Sequence, residues 1–327
     1  MGVFEYVRAG DAAAAVALVS ADPGAQYLAG GTTQVDLMLK DRVLEPERLV
    51  DITRLPLRGI TRSGDALVVG ALTTMEELAA DPVLSERAAF VREALLAGAS
   101  TQLRNMATIG GNVLQRTRCR YFRDRTVAAC NKRAPGSGCA AVTGVARMHA
   151  ILGASEHCIA LHASDLCVPL AALDAVVHIL ATDGQRSFPL TEFYRVPDDR
   201  PDVENVLAHG ELITAVEIPL LPTGARSGYL KVRDRASYEF ALTSAAAALI
   251  LQDGVIAEAR LALGGVGTVP WRAHAAEQVL RGAVPRTEVF REAAEAEIVD
   301  AFTVPGTAFK VELAKRTIVR VMEMVSA

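Results

Sequence analysis

No stretch of the 327 residues reaches the roughly 18 consecutive apolar positions that a membrane-crossing helix needs; the longest apolar run, Ala241–Leu251, is alanine-rich. The opening Met1-Gly2-Val3-Phe4-Glu5-Tyr6 lacks the basic-then-apolar order of a secretory leader, which leads us to expect assembly in the cytoplasm. There is no Cys-x2-Cys pair, so neither a zinc ribbon nor a ferredoxin loop is present. No third glycine completes a Rossmann fingerprint and no Gly-Lys-Ser/Thr makes a Walker loop. Internal repeats and low-complexity tracts are absent. A net charge of −4 offers no general attraction for nucleic acid.

What is present is a globular composition, 51% hydrophobic and 22% charged, in a chain long enough for two or three domains. All five cysteines fall between Cys119 and Cys167, in under a sixth of the length. An odd count in a long chain fits a reducing compartment and metal ligation better than a disulfide framework. The segment is polar and short of apolar periodicity, so something other than a hydrophobic core must order it. Its spacing, C-x10-C, C-x8-C, C-x18-C, leaves a thiolate-bound metal and buried free thiols equally open. The insert is also basic: Arg116, Arg118, Arg120, Arg123, Arg125, Lys132 and Arg133 stand against Asp124. That charge suits a solvated loop, a docking surface, or an offset for a negative thiolate cluster.

In chain order, Asp11 caps a helix that Asp22-Pro23-Gly24 stops, and Gln26–Ala29 forms a strand. Gly30-Gly31-Thr32-Thr33 turns into a helix over Gln34–Lys40, and Arg48–Ile52 is a second strand. A Gly-Gly corner lets a ligand approach the backbone, and free N–H groups at the next helix favour a phosphate. Such corners more often serve the fold alone. Ile60–Ala71 reads as a hairpin, Thr73 with Glu76 as a capping box, and Asp81-Pro82 to Gly98 as helical. A second Gly-Gly corner, Thr108-Ile109-Gly110-Gly111-Asn112, completes two sides of one diphosphate cradle if its N–H groups face the anion. Cys167 lies in an apolar, strand-like run. After Pro222-Thr223-Gly224 come strands at Tyr229–Val232 and Ala259–Leu263, the alanine-rich Phe240–Leu251, and helices over Trp271–Leu280, Thr287–Ile298 and Thr307–Met324. These predict an α+β domain with a helix-covered antiparallel sheet.

Leu28-Ala29-Gly30-Gly31-Thr32-Thr33 and Ala107-Thr108-Ile109-Gly110-Gly111-Asn112 resemble the two FAD-binding turns of the molybdenum hydroxylase flavoprotein family. Ser164-Asp165 and Leu263-Gly264-Gly265-Val266 extend the likeness over nearly the whole chain. The family includes the FAD subunits of xanthine dehydrogenase, carbon monoxide dehydrogenase and bacterial aldehyde oxidoreductases. The resemblance implies a vanillyl-alcohol-oxidase-type FAD-binding fold of two α/β subdomains, followed by the C-terminal α+β domain. The boundaries are then 1–55, 56–221 with an insert at 116–160, and 222–327. It further implies that Leu28, Ala29, Gly30, Gly31, Thr32, Thr33, Gln34, Thr108, Gly111 and Asn112 hold the diphosphate and its neighbourhood. Asp165 would bind the ribityl or ribose part, Leu212 or Ile213 would pack on the ring, and Lys231 would contact the flavin side.

Gln115–Cys119 and Cys130–Cys139 resemble the FAD subunits that carry an extra [4Fe–4S] cluster, those of the periplasmic aldehyde oxidoreductase type and, more distantly, 4-hydroxybenzoyl-CoA reductase. The implied ligands are Cys119, Cys130, Cys139 and Cys158, with Cys167 a core thiol. Ala163 departs from the family's frequent proline. The implied role is electron transfer from a molybdopterin-binding large subunit and a [2Fe–2S] small subunit to an external acceptor, with no catalytic residue of its own. Export already folded beside a signal-bearing partner would place it in the periplasm. Two rivals compete: a self-contained FAD-dependent oxidase, and a cysteine-rich regulatory protein binding metal or nucleic acid.

Overall fold

The computed structural model describes residues 3–327. Three sheets organise it. The first is parallel, in the order β1-β3-β2, from β1 (Glu5–Arg8), β2 (Ala25–Leu28) and β3 (Arg48–Asp51). Its crossover helix, Ala12–Ser20, starts where the Asp11 carboxylate accepts from the N–H of Ala14 at 2.7 Å. Ala15, Val16 and Val19 of that helix pack on Val50 and Ile52 to make a small core.

The second sheet is antiparallel, in the order β4-β5-β8-β6-β7. Its strands are β4 (Ile60–Ser63), β5 (Ala66–Gly70), β6 (Val176–Ala181), β7 (Gly184–Pro189) and β8 (Leu212–Pro219). Helices between 75 and 113 and the helix Cys167–Ala172 cover one face. The insert, 116–160, carries only two single-turn helices, Arg120–Arg123 and Ala140–Thr143.

The third sheet is antiparallel, in the order β12-β11-β10-β9, from β9 (Arg226–Val232), β10 (Thr243–Gln252), β11 (Val255–Gly264) and β12 (Trp271–Arg272). Helices His274–Leu280, Thr287–Glu297 and Phe309–Ser326 pack on one face. Alternate residues of β10 serve different cores: Ala245, Ala247 and Leu249 join the C-terminal core, whereas Ala246 and Ala248 join that of the second sheet. A strand buried on both faces has no polar alternation, and alanine lets both layers approach it closely. Among the described residues no helix is long and apolar enough to cross a membrane.

Three local expectations are corrected. The capping box is Thr74 with Glu77, one residue later than Thr73 with Glu76. Thr73 instead turns its hydroxyl onto Gly59, and Glu76 binds Arg104 at 2.7 Å. Trp271 is in an edge strand and its helix starts at His274, because the Ala273 N–H is taken by Leu261 on β11. Cys167 opens a helix, its N–H donating to the Ser164 hydroxyl at 3.1 Å.

Candidate cofactor cleft and cysteine cavity

A cavity of about 740 Å³ opens between the first two sheets and is closed on one side by β9. The first glycine turn makes one wall. Gly31 has φ +69°, which L side chains rarely adopt, and a Cβ on Gly30 would stand 1.9 Å from the Met106 carbonyl oxygen. The chain leading into the second turn therefore rests directly on the first. Among the described residues no backbone acceptor takes the N–H groups of Gly30, Gly31, Thr32 or Thr33; the first helical bond is Val35 N–H to Gly31 at 2.9 Å. Four successive donors left open beside a cavity suit an oxygen-rich anion.

The second turn differs from the expectation. Four of its N–H groups are engaged: Ile109 donates to Thr73 and Gly110 to Ala71, each at 2.9 Å, Gly111 to the Thr108 hydroxyl at 3.2 Å, and Asn112 to the Thr108 carbonyl at 2.8 Å. This turn offers surface, side chains and at most the Thr108 amide, whereas the first offers a run of four open amides. Asn112 is itself tied down, accepting from the Ser164 hydroxyl at 2.5 Å.

The cavity gathers Ala29, Gly30, Gly31, Thr32, Thr33, Gln34, Thr108, Gly111, Asn112, Asp165, Leu212, Ile213 and Lys231. Leu28 is not among its lining residues; it ends β2 behind the turn, beside Gly31. Asp165 and Lys231 meet each other at 2.8 Å, and Tyr229 donates its hydroxyl to Asp165 at 2.6 Å. Lys231 also donates to the Ala97 carbonyl at 3.1 Å, so β9 of the third sheet is stitched to the helix layer of the second sheet. Sequence reasoning missed Arg116, Arg118, His209 and Phe240 as lining residues. The basic run at 116–118 carried that signal, but nothing in its pattern told which side chains turn inward.

Cys119, Cys130, Cys139 and Cys158 line one small cavity in the insert, with Lys132 beside them. All are free thiols. The backbone at Cys130 and Cys139 pairs as an isolated antiparallel bridge. Burial pushes the Cys119 thiol up to about 12; Phe122 and Tyr121 amides oppose this, and Cys158 and Cys130 add to it. Burial also raises Cys158, opposed by Lys132 and the Ala160 amide, with Cys139 and Cys130 adding to the rise. Backbone amides and a lysine thus face the Cys119 and Cys158 sulfurs where thiolate charge would develop. A thiolate-bound cationic centre fits this donor set. Among the described residues no three His, Cys, Asp or Glu side chains already stand at metal-holding distances; neutral thiols have no mutual attraction to draw them that close. Cys167 lies apart, fully buried, 3.2 Å from the Tyr194 hydroxyl. His149 Nε2 lies 3.2 Å from Cys119 Sγ.

Residues 2–221 match the family described as "FAD binding domain in molybdopterin dehydrogenase", and residues 228–325 match "CO dehydrogenase flavoprotein C-terminal domain". The chain is 45% identical over 325 residues to the aldehyde oxidoreductase FAD-binding subunit PaoB of Escherichia coli strain K12, covering 98% of each chain. It is 29% identical to the carbon monoxide dehydrogenase medium chain of Afipia carboxidovorans, covering 92% of this chain and 88% of that one. The crystal structure of cyanide-inactivated Cu,Mo-CO dehydrogenase superposes with a TM-score of 0.78 at 26% identity, covering 99% of this chain and 98% of that one. The open amides beside a large cleft, and two family matches that together span almost every residue, lead to one conclusion: the chain belongs to the FAD-binding subunits of the molybdenum hydroxylase family, whose members are parts of oxidoreductases.

Proposed function

We propose that this chain is the FAD- and [4Fe–4S]-carrying electron-transfer subunit of a molybdenum-dependent aldehyde oxidoreductase complex. It would receive electrons from a molybdopterin-binding large subunit by way of a [2Fe–2S] small subunit and deliver them to an external acceptor. The observation that carries this reading is adjacency: Arg118 lines the FAD cleft while the next residue, Cys119, lines the four-cysteine cavity. The likeness to an aldehyde oxidoreductase FAD-binding subunit supports the substrate class.

Bound FAD and a bound cluster supply the redox chemistry, the former taking electron pairs and the latter single electrons. The residues of this chain hold and insulate. Gly30 to Thr33 present open amides to the diphosphate. Asp165, balanced by Lys231 and Tyr229, offers a fixed acceptor to the sugar-like part. Ile213, buried on β8, gives an apolar face to the ring. Cys119, Cys130, Cys139 and Cys158 ligate the cluster, and Lys132 offsets thiolate charge. The units 1–55 and 56–221 enclose the flavin, and 222–327 closes the cleft through Lys231.

The test is anaerobic addition of an aldehyde to the complex purified with its partners and, separately, to the flavin-loaded chain alone. The flavin's visible absorption should bleach in the complex only. Bleaching in the isolated chain would favour a self-contained oxidase.

A further inference from the structure

Arg118 is a poorly satisfied, partly buried cation of the cleft. Its guanidinium reaches Asp36 and the Thr33 hydroxyl only at 3.4 Å each, and its Nε is buried without a partner. Asp36 is already held by Arg123 at 2.9 Å, and Arg123 also takes Asp41 at 2.7 Å. Neighbouring Arg116, by contrast, is paired with Glu204 at 2.7 Å. Phe240 fixes the Arg118 plane, with the guanidinium carbon 4.9 Å from the ring centroid. A positive group so placed stands beside the turn whose amides are open.

The same stretch ties the cleft to the cysteine cavity. Arg118 is bonded to Cys119, and the Cys119 amide is held by the Thr117 hydroxyl at 3.2 Å. Leu37, from the helix that follows the glycine turn, packs against Phe122 and Cys130 in one shared apolar cluster. Arg123 adds a second tie by donating both to Asp36 and Asp41 on the turn's side and to the Thr117 carbonyl on its own.

We propose that Arg118 is a flavin-phosphate-binding residue supplied by the cysteine insert, and that through it cluster loading sets how tightly the chain holds FAD. This rests on reading the four cysteines as cluster ligands. A cluster that fixes Cys119 and Cys130 fixes Arg118 and the Leu37 contact, and the phosphate then meets a preorganised guanidinium. Without it the insert loses its pin, and binding must first order Arg118. The arrangement gives the cluster a structural role toward the flavin whether or not electrons pass through it.

The experiment compares complexes purified with their partners, measuring FAD dissociation by the fluorescence of released flavin, and iron by assay. Arg118→Gln should keep its iron and release FAD about tenfold to a hundredfold more readily, the worth of one charge-assisted phosphate contact. Arg118→Lys, which keeps the charge but not the fork, should recover part of the loss. Cys130→Ser should lose iron and weaken FAD comparably, with unchanged far-ultraviolet circular dichroism showing that the sheets persist. Wild-type retention of FAD by Arg118→Gln would overturn the contact. Undiminished FAD affinity in an iron-free Cys130→Ser complex would overturn the coupling. Unchanged iron in Cys130→Ser would instead sink the ligand assignment, while the Arg118 variants still decide the flavin contact.

Discussion

The α-carbon of Gly30 faces the carbonyl oxygen of Met106 so closely that a methyl group would stand 1.9 Å from it. Both sides of this contact are backbone, so neither can rotate away. Gly30→Ala should therefore cost about 3 kcal/mol of stability and abolish flavin retention, because the two turns must part. Gly111→Ala should be milder. Its added methyl meets the Thr108 hydroxyl at 2.9 Å, a side chain that can turn aside at the loss of one cap, about 1 kcal/mol. Urea midpoints of the two variants without flavin, and flavin content after gel filtration, check the ranking.

Asp165 and Lys231 form a buried pair, their side chains 10% and 4% exposed, that joins the third sheet to the cleft. Asp165→Ala strands the lysine charge in the interior and should cost about 3–5 kcal/mol. Replacing both, as Asp165→Ala with Lys231→Met, should cost less than the sum of the single changes, since no lone charge remains. Denaturation of the four proteins in a double-mutant cycle measures the coupling.

Lys310 is fully buried in the C-terminal helix and donates to the carbonyls of His149 and Gly265 at 2.8 and 2.7 Å, with no carboxylate partner. Burial, with Arg147 adding to it, pulls its pKa from 10.5 to about 7. The unfolded chain keeps the proton across that interval and the folded one does not. This group therefore makes stability rise with pH from about 7 up to 10.5. Lys310→Met should flatten that rise by at most about 1.4 kcal/mol per pH unit. Chemical denaturation of wild type and variant at several pH values across the interval reads the slope.

The glycine corners were legible in the sequence because a strand, two glycines and a hydroxyl constrain the backbone locally. What each corner does was not. The amides of Ile109 and Gly110 are consumed by Thr73 and Ala71, residues far off in sequence, and only tertiary contact reveals this. β10 hid for a similar reason: its alanines face two cores, so the two-residue period that announces a strand is missing. The shift from Thr73 to Thr74 at the capping box reflects competition, since Gly59 claims the Thr73 hydroxyl. Arg118 was visible only as one arginine among several; its inward turn depends on Phe240 and Asp36, residues far from it in sequence.

The account stands or falls on the four cysteines around one cavity. Iron and acid-labile sulfide, measured per copy of the anaerobically purified complex, should drop by about four of each when Cys130→Ser replaces wild type, the content of one cubane. The change Cys167→Ser should leave both unaltered, since that thiol lies in the core beside Tyr194. Equal iron and sulfide in the wild-type and Cys130→Ser complexes would contradict the assignment.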